Sequence, residues 1–190
     1  MDGTVIRAAR VTDAPQIAAV HVRSWQAAYR GLLPQAYLDG LDPAERVGRW
    51  ERSLAEAGDG RNGVLVADAS GTLLGFVGYS PSRDSDADPV RVGEIDAIYL
   101  LPSAWGKGAG RRLMDAALVQ LAEAQFDQVT LWVLDSNARA RRFYELGGWL
   151  VDGAQKIDEN WGFPIAQVRY KRSLTPSGTR SVLSCLCRAT

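Results

Sequence analysis

Only two cysteines and one histidine occur in the chain of 190 residues. Cys185 and Cys187 are separated by a single residue, an awkward distance for a disulfide, and one Cys-x-Cys without a second ligand pair is a poor zinc signal. No metal is expected. No apolar run is long enough to span a bilayer, and the opening "MDGTVIRAAR" lacks the apolar core of a signal peptide. A reduced, cytoplasmic protein is therefore the expectation, with no membrane partner. An excess of one charge is also missing, because 22 Lys and Arg balance 22 Asp and Glu. Such a chain has no global field to hold nucleic acid, so any anion site must be local.

Apolar residues are plentiful at 46%, enough for one domain with a proper core. Strand and helix signals alternate. "TVIRAA" (Thr4–Ala9) reads as a strand, and Thr12 and Asp13 then offer an N-cap to a helix ending at Gly31. A second helical pattern follows Asp42-Pro43 and carries Val47, Trp50 and Leu54. Two β-rich runs flank Ala69-Ser70-Gly71-Thr72, a hairpin signature. After the polar loop "SRDSDADP", Val92–Pro102 reads as a strand stopped by its proline. A helix (Gly110–Ala124), a strand (Val129–Leu134) and a helix (Ala138–Leu146) follow, then strands near Trp149–Val151 and Ile165–Lys171. The succession predicts a mixed α/β sheet covered on both faces.

The stretch "LLPSAWGKGAGRRLM" (Leu100–Met114) joins a strand to a helix through Gly106, Gly108 and Gly110. The first N–H groups of a helix lack backbone partners, and its dipole favours negative charge there. Missing Cβ atoms let a phosphate approach the main chain. Lys107, Arg111 and Arg112 add positive charge. The spacing is neither that of a Walker loop nor Gly-x-Gly-x-x-Gly.

Pro102 followed by Gly106-x-Gly108-x-Gly110 resembles the acyl-CoA pyrophosphate loop of the GCN5-related N-acetyltransferase (GNAT) superfamily, with Trp105 where that pattern has Gln or Arg. One strand later, "LDSNARARRFYELGGW" (Leu134–Trp149) resembles the family's Asn-x-x-Ala-x-x-Phe-Tyr-Glu-x-x-Gly-Phe segment. The resemblance implies an α/β fold (α+β by some schemes) whose mixed, mostly antiparallel sheet of about six to seven strands is splayed between the fourth and fifth. It implies acetyl-CoA as co-substrate. The loop Gly106, Lys107, Gly108, Ala109, Gly110 and Arg111 would hold its pyrophosphate. Backbone at Ile98, Tyr99 and Leu100 would pair with pantetheine as an added strand does, Asn137 would meet nearby CoA atoms, and the Tyr144 hydroxyl would sit near the thioester sulfur. Asn137 as a plain helix cap and Phe143-Tyr144 as plain core are the bland readings.

Glu94 and Asp96 are unexpected in a strand covered on both faces. Strict alternation puts both on one face with Ile98 and Leu100, leaving Ile95, Ala97 and Tyr99 on the other. The resemblance places Glu94 in the acceptor site, where a carboxylate is a frequent general base. Asp96 is the second candidate, and the plain alternative is an ion pair with an arginine such as Arg91 or Arg169. Tyr144 is the natural acid for the leaving thiolate. Trp25 and Tyr29, i and i+4 on the first helix, are candidate walls of the acceptor cleft or else core residues of an amphipathic helix. "DENWGF" (Asp158–Phe163) would close its other side, and Glu94 and Asp96 would make it acidic. His21 reads as a packed or surface residue.

These expectations amount to an N-acetyltransferase domain over residues 1–174 and a flexible tail over 175–190. It would move an acetyl group to a small-molecule or peptide amine by direct attack in a ternary complex. A homodimer is left open. The alternative is a sensor of the same fold that binds acyl-CoA without turnover, which has no need of Glu94 and Tyr144 as an acid–base pair.

Overall fold

The computed structural model describes residues 3–174 except Asp59 and Asn160, so the tail with Cys185 and Cys187 lies outside the described residues. Among the described residues, seven strands form one sheet in the order β1-β2-β3-β4-β5-β7-β6. They are β1 (Thr4–Ala8), β2 (Gly63–Ala69), β3 (Thr72–Pro81), β4 (Val92–Leu100), β5 (Gln128–Leu134), β6 (Leu150–Asp158) and β7 (Ile165–Ser173). Every neighbouring pair is antiparallel except β4–β5. Among the described residues, five α-helices accompany the sheet: α1 (Ala14–Ala28), α2 (Gln35–Asp39), α3 (Ala44–Glu56), α4 (Ala109–Glu123) and α5 (Ala138–Leu146).

Local chemistry explains most of these boundaries. Ser70 and Gly71 both have positive φ, at 52° and 89°, the conformation that a two-residue hairpin turn requires, and β2 and β3 pair directly across it. Asp13 stands at the N-cap of α1, yet its carboxylate does not cap the helix. It takes hydrogen bonds from the Arg7 guanidinium and from Arg10 N–H, each at 2.7 Å. The five-residue α2, entered from Pro34, has too little sequence for a periodic pattern, and no helix is expected there from sequence. β6 extends well beyond Val151 as an edge strand with mostly exposed residues, so burial leaves little hydrophobic pattern to read.

Helices cover both faces. On one face Leu113, Ala117 and Leu121 of α4 pack against Val77, Ile95, Val129 and Leu131, with Tyr144 of α5 at the margin. On the other, Ile17 and Val20 of α1 and Leu54 of α3 pack against Val66 and Phe76. Each of the larger aliphatic side chains among them contributes about 1.5–3 kcal/mol.

Two irregularities in β4 shape the sheet around its centre. Its pairing with β5 covers only Val92, Gly93 and Glu94, and beyond Glu94 the two strands part. Against β3, Ala97 faces Gly78 while Ile95 faces Tyr79, so Asp96 is an extra, bulged residue. The bulge breaks strict alternation. Ile95 lies with Ile98 and Leu100 beneath α4, whereas Ala97 and Tyr99 lie on the α1 side. Glu94 therefore shares a face with Ala97 and Tyr99, contrary to the period-two expectation.

Candidate active site

Where β4 and β5 part, a cleft of about 940 Å³ opens between the two helical layers. At one end stands the loop that feeds α4. Gly106 and Gly108 have φ of 70° and 87°, and Gly108 is the N-cap of α4. This left-handed backbone costs an L side chain about 1–2 kcal/mol, so glycine is the fitting residue. Gly106, Gly108, Gly110 and Arg111 line the cleft. Lys107 is exposed, and the Ala109 side chain is fully buried, leaving its backbone as the part that can meet a ligand. Arg112 turns away and donates to the Thr4 carbonyl at 3.0 Å. Gly110 is less constrained: a Cβ there would make van der Waals contact with Leu100 Cδ1 at 3.4 Å and Phe143 Cε2 at 3.6 Å.

Trp105 does not leave the loop entrance without a polar group. Its indole N–H donates to the Leu100 carbonyl at 2.9 Å, and the Arg139 guanidinium lies over its ring, 3.6 Å from the centroid. Leu100 O also accepts from Ser24 Oγ at 2.8 Å. Both lone pairs of that carbonyl are thus engaged, and the alternating ladder turns the Tyr99 N–H and C=O to Phe76 of β3, so the pairing surface narrows to Ile98 and the Leu100 N–H, without the Tyr99 backbone expected from sequence.

Asn137 is a cap as well as a cleft residue. Its side-chain oxygen accepts from Ala140 N–H at 3.1 Å at the start of α5, and the residue is almost fully buried. Further along α5, Tyr144 reaches the same cleft. Burial is the main cause that lifts its hydroxyl pKa well above the ordinary value, with the Tyr99 hydroxyl adding to it, so it stays protonated.

Across the cleft, Glu94 is 8% exposed and its pKa is raised, chiefly by burial. Its Oε2 accepts from the Arg83 backbone N–H at 3.2 Å. The Arg83 guanidinium lies 2.5 Å from Asp96 Oδ1 and 3.9 Å from Glu94 Oε1, and Ser80 Oγ donates to the same Asp96 oxygen. The arginine partner of this pair is therefore Arg83. Arg91 is engaged with Asp127, and Arg169 with Asp84, Asp86 and Asp152. Period and spacing gave no signal for Arg83, since only the fold of the polar loop brings it back to β4.

Aromatic rings form the far wall. Trp25 and Tyr29 both line the cleft, with centroids 5.0 Å apart. Trp161, from the loop between β6 and β7, lies 4.9 Å from Trp25 and closes that side. His21 is packed, stacking on Tyr99 at 5.1 Å, and its pKa is lowered to about 3 by burial and then by Arg46 and Arg49. The cleft is not acidic. Arg46, Arg49, Arg83, Arg111, Arg139 and Lys156 line it together with Glu56, Glu94, Asp96 and Asp158.

No described helix is long and apolar enough to cross a membrane. Comparisons with known proteins agree with the geometry. Residues 22–148 match the Acetyltransferase (GNAT) family. YuaI of Bacillus subtilis, an uncharacterized N-acetyltransferase, is 35% identical over 168 residues, covering 87% of this chain and 88% of its own. An uncharacterized N-acetyltransferase of Archaeoglobus fulgidus is 35% identical over 73% of this chain and 88% of its own. Among solved structures, YncA of Salmonella typhimurium, a putative acetyltransferase with its cofactor acetyl-CoA, superposes with a TM-score of 0.67 at 19% identity, covering 94% of this chain and 98% of that one. PaiA N-acetyltransferase of Thermoplasma acidophilum, in complex with coenzyme A, has a TM-score of 0.65 at 19% identity over 90% of this chain and 98% of its own. A parted β4–β5 pair, a left-handed glycine loop at a helix start and a matching sequence over two thirds of its length lead to one statement: this chain belongs to the acetyltransferase (GNAT) family.

Proposed function

We propose that the protein is an N-acetyltransferase that moves the acetyl group of acetyl-CoA to a primary amine of a small molecule or peptide. The observation that carries this reading is the parting of β4 from β5 just past Glu94, beside the left-handed glycine loop. Such a gap admits an extended pantetheine arm as a surrogate strand. The loop backbone from Gly106 to Arg111 and the start of α4 present N–H groups to a pyrophosphate. Acetyl-CoA supplies the activated acyl group; the chain's own residues handle protons.

Glu94 takes the proton of the incoming ammonium, directly or through water. A carboxylate whose pKa burial has raised is a stronger base than an exposed one. The free amine nitrogen then bonds to the acetyl carbonyl carbon. As the carbon–sulfur bond breaks, Tyr144 gives its hydroxyl proton to the departing thiolate. Burial keeps that proton on the oxygen until it is needed. Asp96, held by Arg83 and Ser80, supports the charge balance around Glu94. Transfer is direct, without an acyl-enzyme.

Thiol release from acetyl-CoA, followed across a panel of primary amines, tests the reading. CoA binding without thiol release by any amine would replace it with an acyl-CoA sensor. Tyr144→Phe separates the two acid–base roles: its defect should persist at alkaline pH and shrink with an acyl donor that has a better leaving group.

A further inference from the structure

The proton transfers and the pyrophosphate cradle proposed above leave the wall of the cleft built by α3 unused. Arg46, Arg49, Trp50 and Ser53 of α3 all line the cleft. Their i, i+3, i+4 and i+7 spacing makes them one helical stripe, and α3 rides on α1 through Val47, Trp50 and Leu54. Two cations on this stripe face a space that also contains Glu94 and Asp96.

Neither arginine makes an ion pair among the described residues. Arg46 is half-buried, with its guanidinium carbon 5.9 Å from the Trp25 ring centroid. Beside it, both ring nitrogens of His21 are buried without a hydrogen-bond partner, as is Asn62 Oδ1, and both residues line the same cleft. Buried polar atoms without partners are uncommon, because each forfeits its hydration. A ligand that supplies a donor and an acceptor here relieves that cost. An imidazole kept neutral by burial beside two guanidinium groups offers an N–H to an anion without competing for its charge.

We infer that Arg46 and Arg49, with His21 beside them, form an anion-binding subsite for the acceptor. The acceptor is then an amine that also carries a carboxylate or comparable anionic group, an amino-acid-like molecule rather than a polyamine. This rests on the reading that the cleft acetylates amines. Its amine would lie toward Glu94 and its anion toward α3. Coenzyme A is the other anion nearby, but its loop opens α4, on the opposite face of the sheet from α3.

The test uses the full chain and a panel of α- and ω-amino acids, each matched with the amine that lacks its carboxylate. Thiol release should favour at least one amino acid over its matched amine. The Arg46→Ala/Arg49→Ala double variant should raise the KM for that amino acid about ten-fold or more, the worth of charge-assisted hydrogen bonds to one carboxylate, with kcat and the matched amine's KM unchanged. CoA affinity by calorimetry should also be unchanged. Lower CoA affinity in the double variant would assign the arginines to the co-substrate and overturn the inference. A panel in which no amino acid is preferred, or equal losses for both partners of a pair, would overturn it as well. If no acceptor is turned over, calorimetry of the amino acids and of 3-phenylpropionate on the CoA complex decides separately. Binding that the double variant loses sustains the subsite while the transferase reading fails, and no binding to the unmodified protein ends both.

Discussion

The guanidinium of Arg139 lies over the Trp105 indole with its carbon 3.6 Å from the ring centroid, at the entrance of the glycine loop. Trp105 occupies the place where the family pattern has Gln or Arg, and the stack returns a cation to that place from α5. Arg139→Ala should weaken CoA binding about ten-fold, as expected for a positioned cation partly shielded by an aromatic ring. Lys107→Ala should cost less, because that exposed ammonium does not line the cleft. Calorimetric titration with CoA measures both, and equal losses would remove the stack from binding.

The glycines of the loop are predicted to differ. Gly108 has φ of 87°, so Gly108→Val should lower basal stability by about 1–2 kcal/mol and abolish CoA-induced thermal stabilisation. Gly110 is helical and its missing Cβ points between Leu100 and Phe143, not toward the loop. Gly110→Ala should fold and keep most of the CoA response. Thermal melts with and without CoA check the pair, and loss of the response in both would return Gly110 to the phosphate cradle.

Glu94→Gln should lower the rate about 10²–10⁴-fold with acetyl-CoA binding nearly unchanged. The loss should shrink as pH rises, since more amine then arrives neutral. Because burial raises the folded pKa of Glu94, its ionised form costs stability, and that cost develops as pH rises through the folded pKa, above the ordinary 4.5. The amide should therefore make the protein slightly more stable at neutral pH and no more stable at acid pH below the unfolded value. Arg83 opposes the rise, so Arg83→Ala should move the acid limb of the pH–rate profile upward. A limb that stays in place would show that another group sets it.

Arg169 fastens the polar loop to the sheet through Asp84, Asp86 and Asp152. Asp152 and Asp84 are 8% and 13% exposed at the side chain, so Arg169→Met would strand two buried charges and should cost about 3–5 kcal/mol in urea unfolding. Asp86 is 61% exposed and its pairing is screened by solvent, so Asp86→Ala should leave the urea midpoint nearly unchanged. The same loop carries the Arg83 N–H that holds Glu94, so partial loss of activity should accompany any Arg169 variant that still folds. Comparable costs for both substitutions would refute the stranded-charge account.

The sequence by itself determined the strand–loop–helix that starts at β4, the hairpin at Ser70-Gly71 and the placement of Asn137 and Tyr144 on one short helix. Each of these is local: turn chemistry, a cap or a few residues of spacing specify it without reference to distant chain. Tertiary structure alone decided the rest. The bulge at Asp96 moved Ile95 to the α4 side and kept Glu94 with Tyr99, because periodicity counts residues and cannot register one that is left unpaired against a neighbouring strand. Arg83, rather than Arg91 or Arg169, became the partner of the two carboxylates, and Arg46 and Arg49 entered the cleft from α3. An exposed arginine is nearly indifferent to local conformation, so its position is set by where the folded backbone carries it and by which charge it meets there.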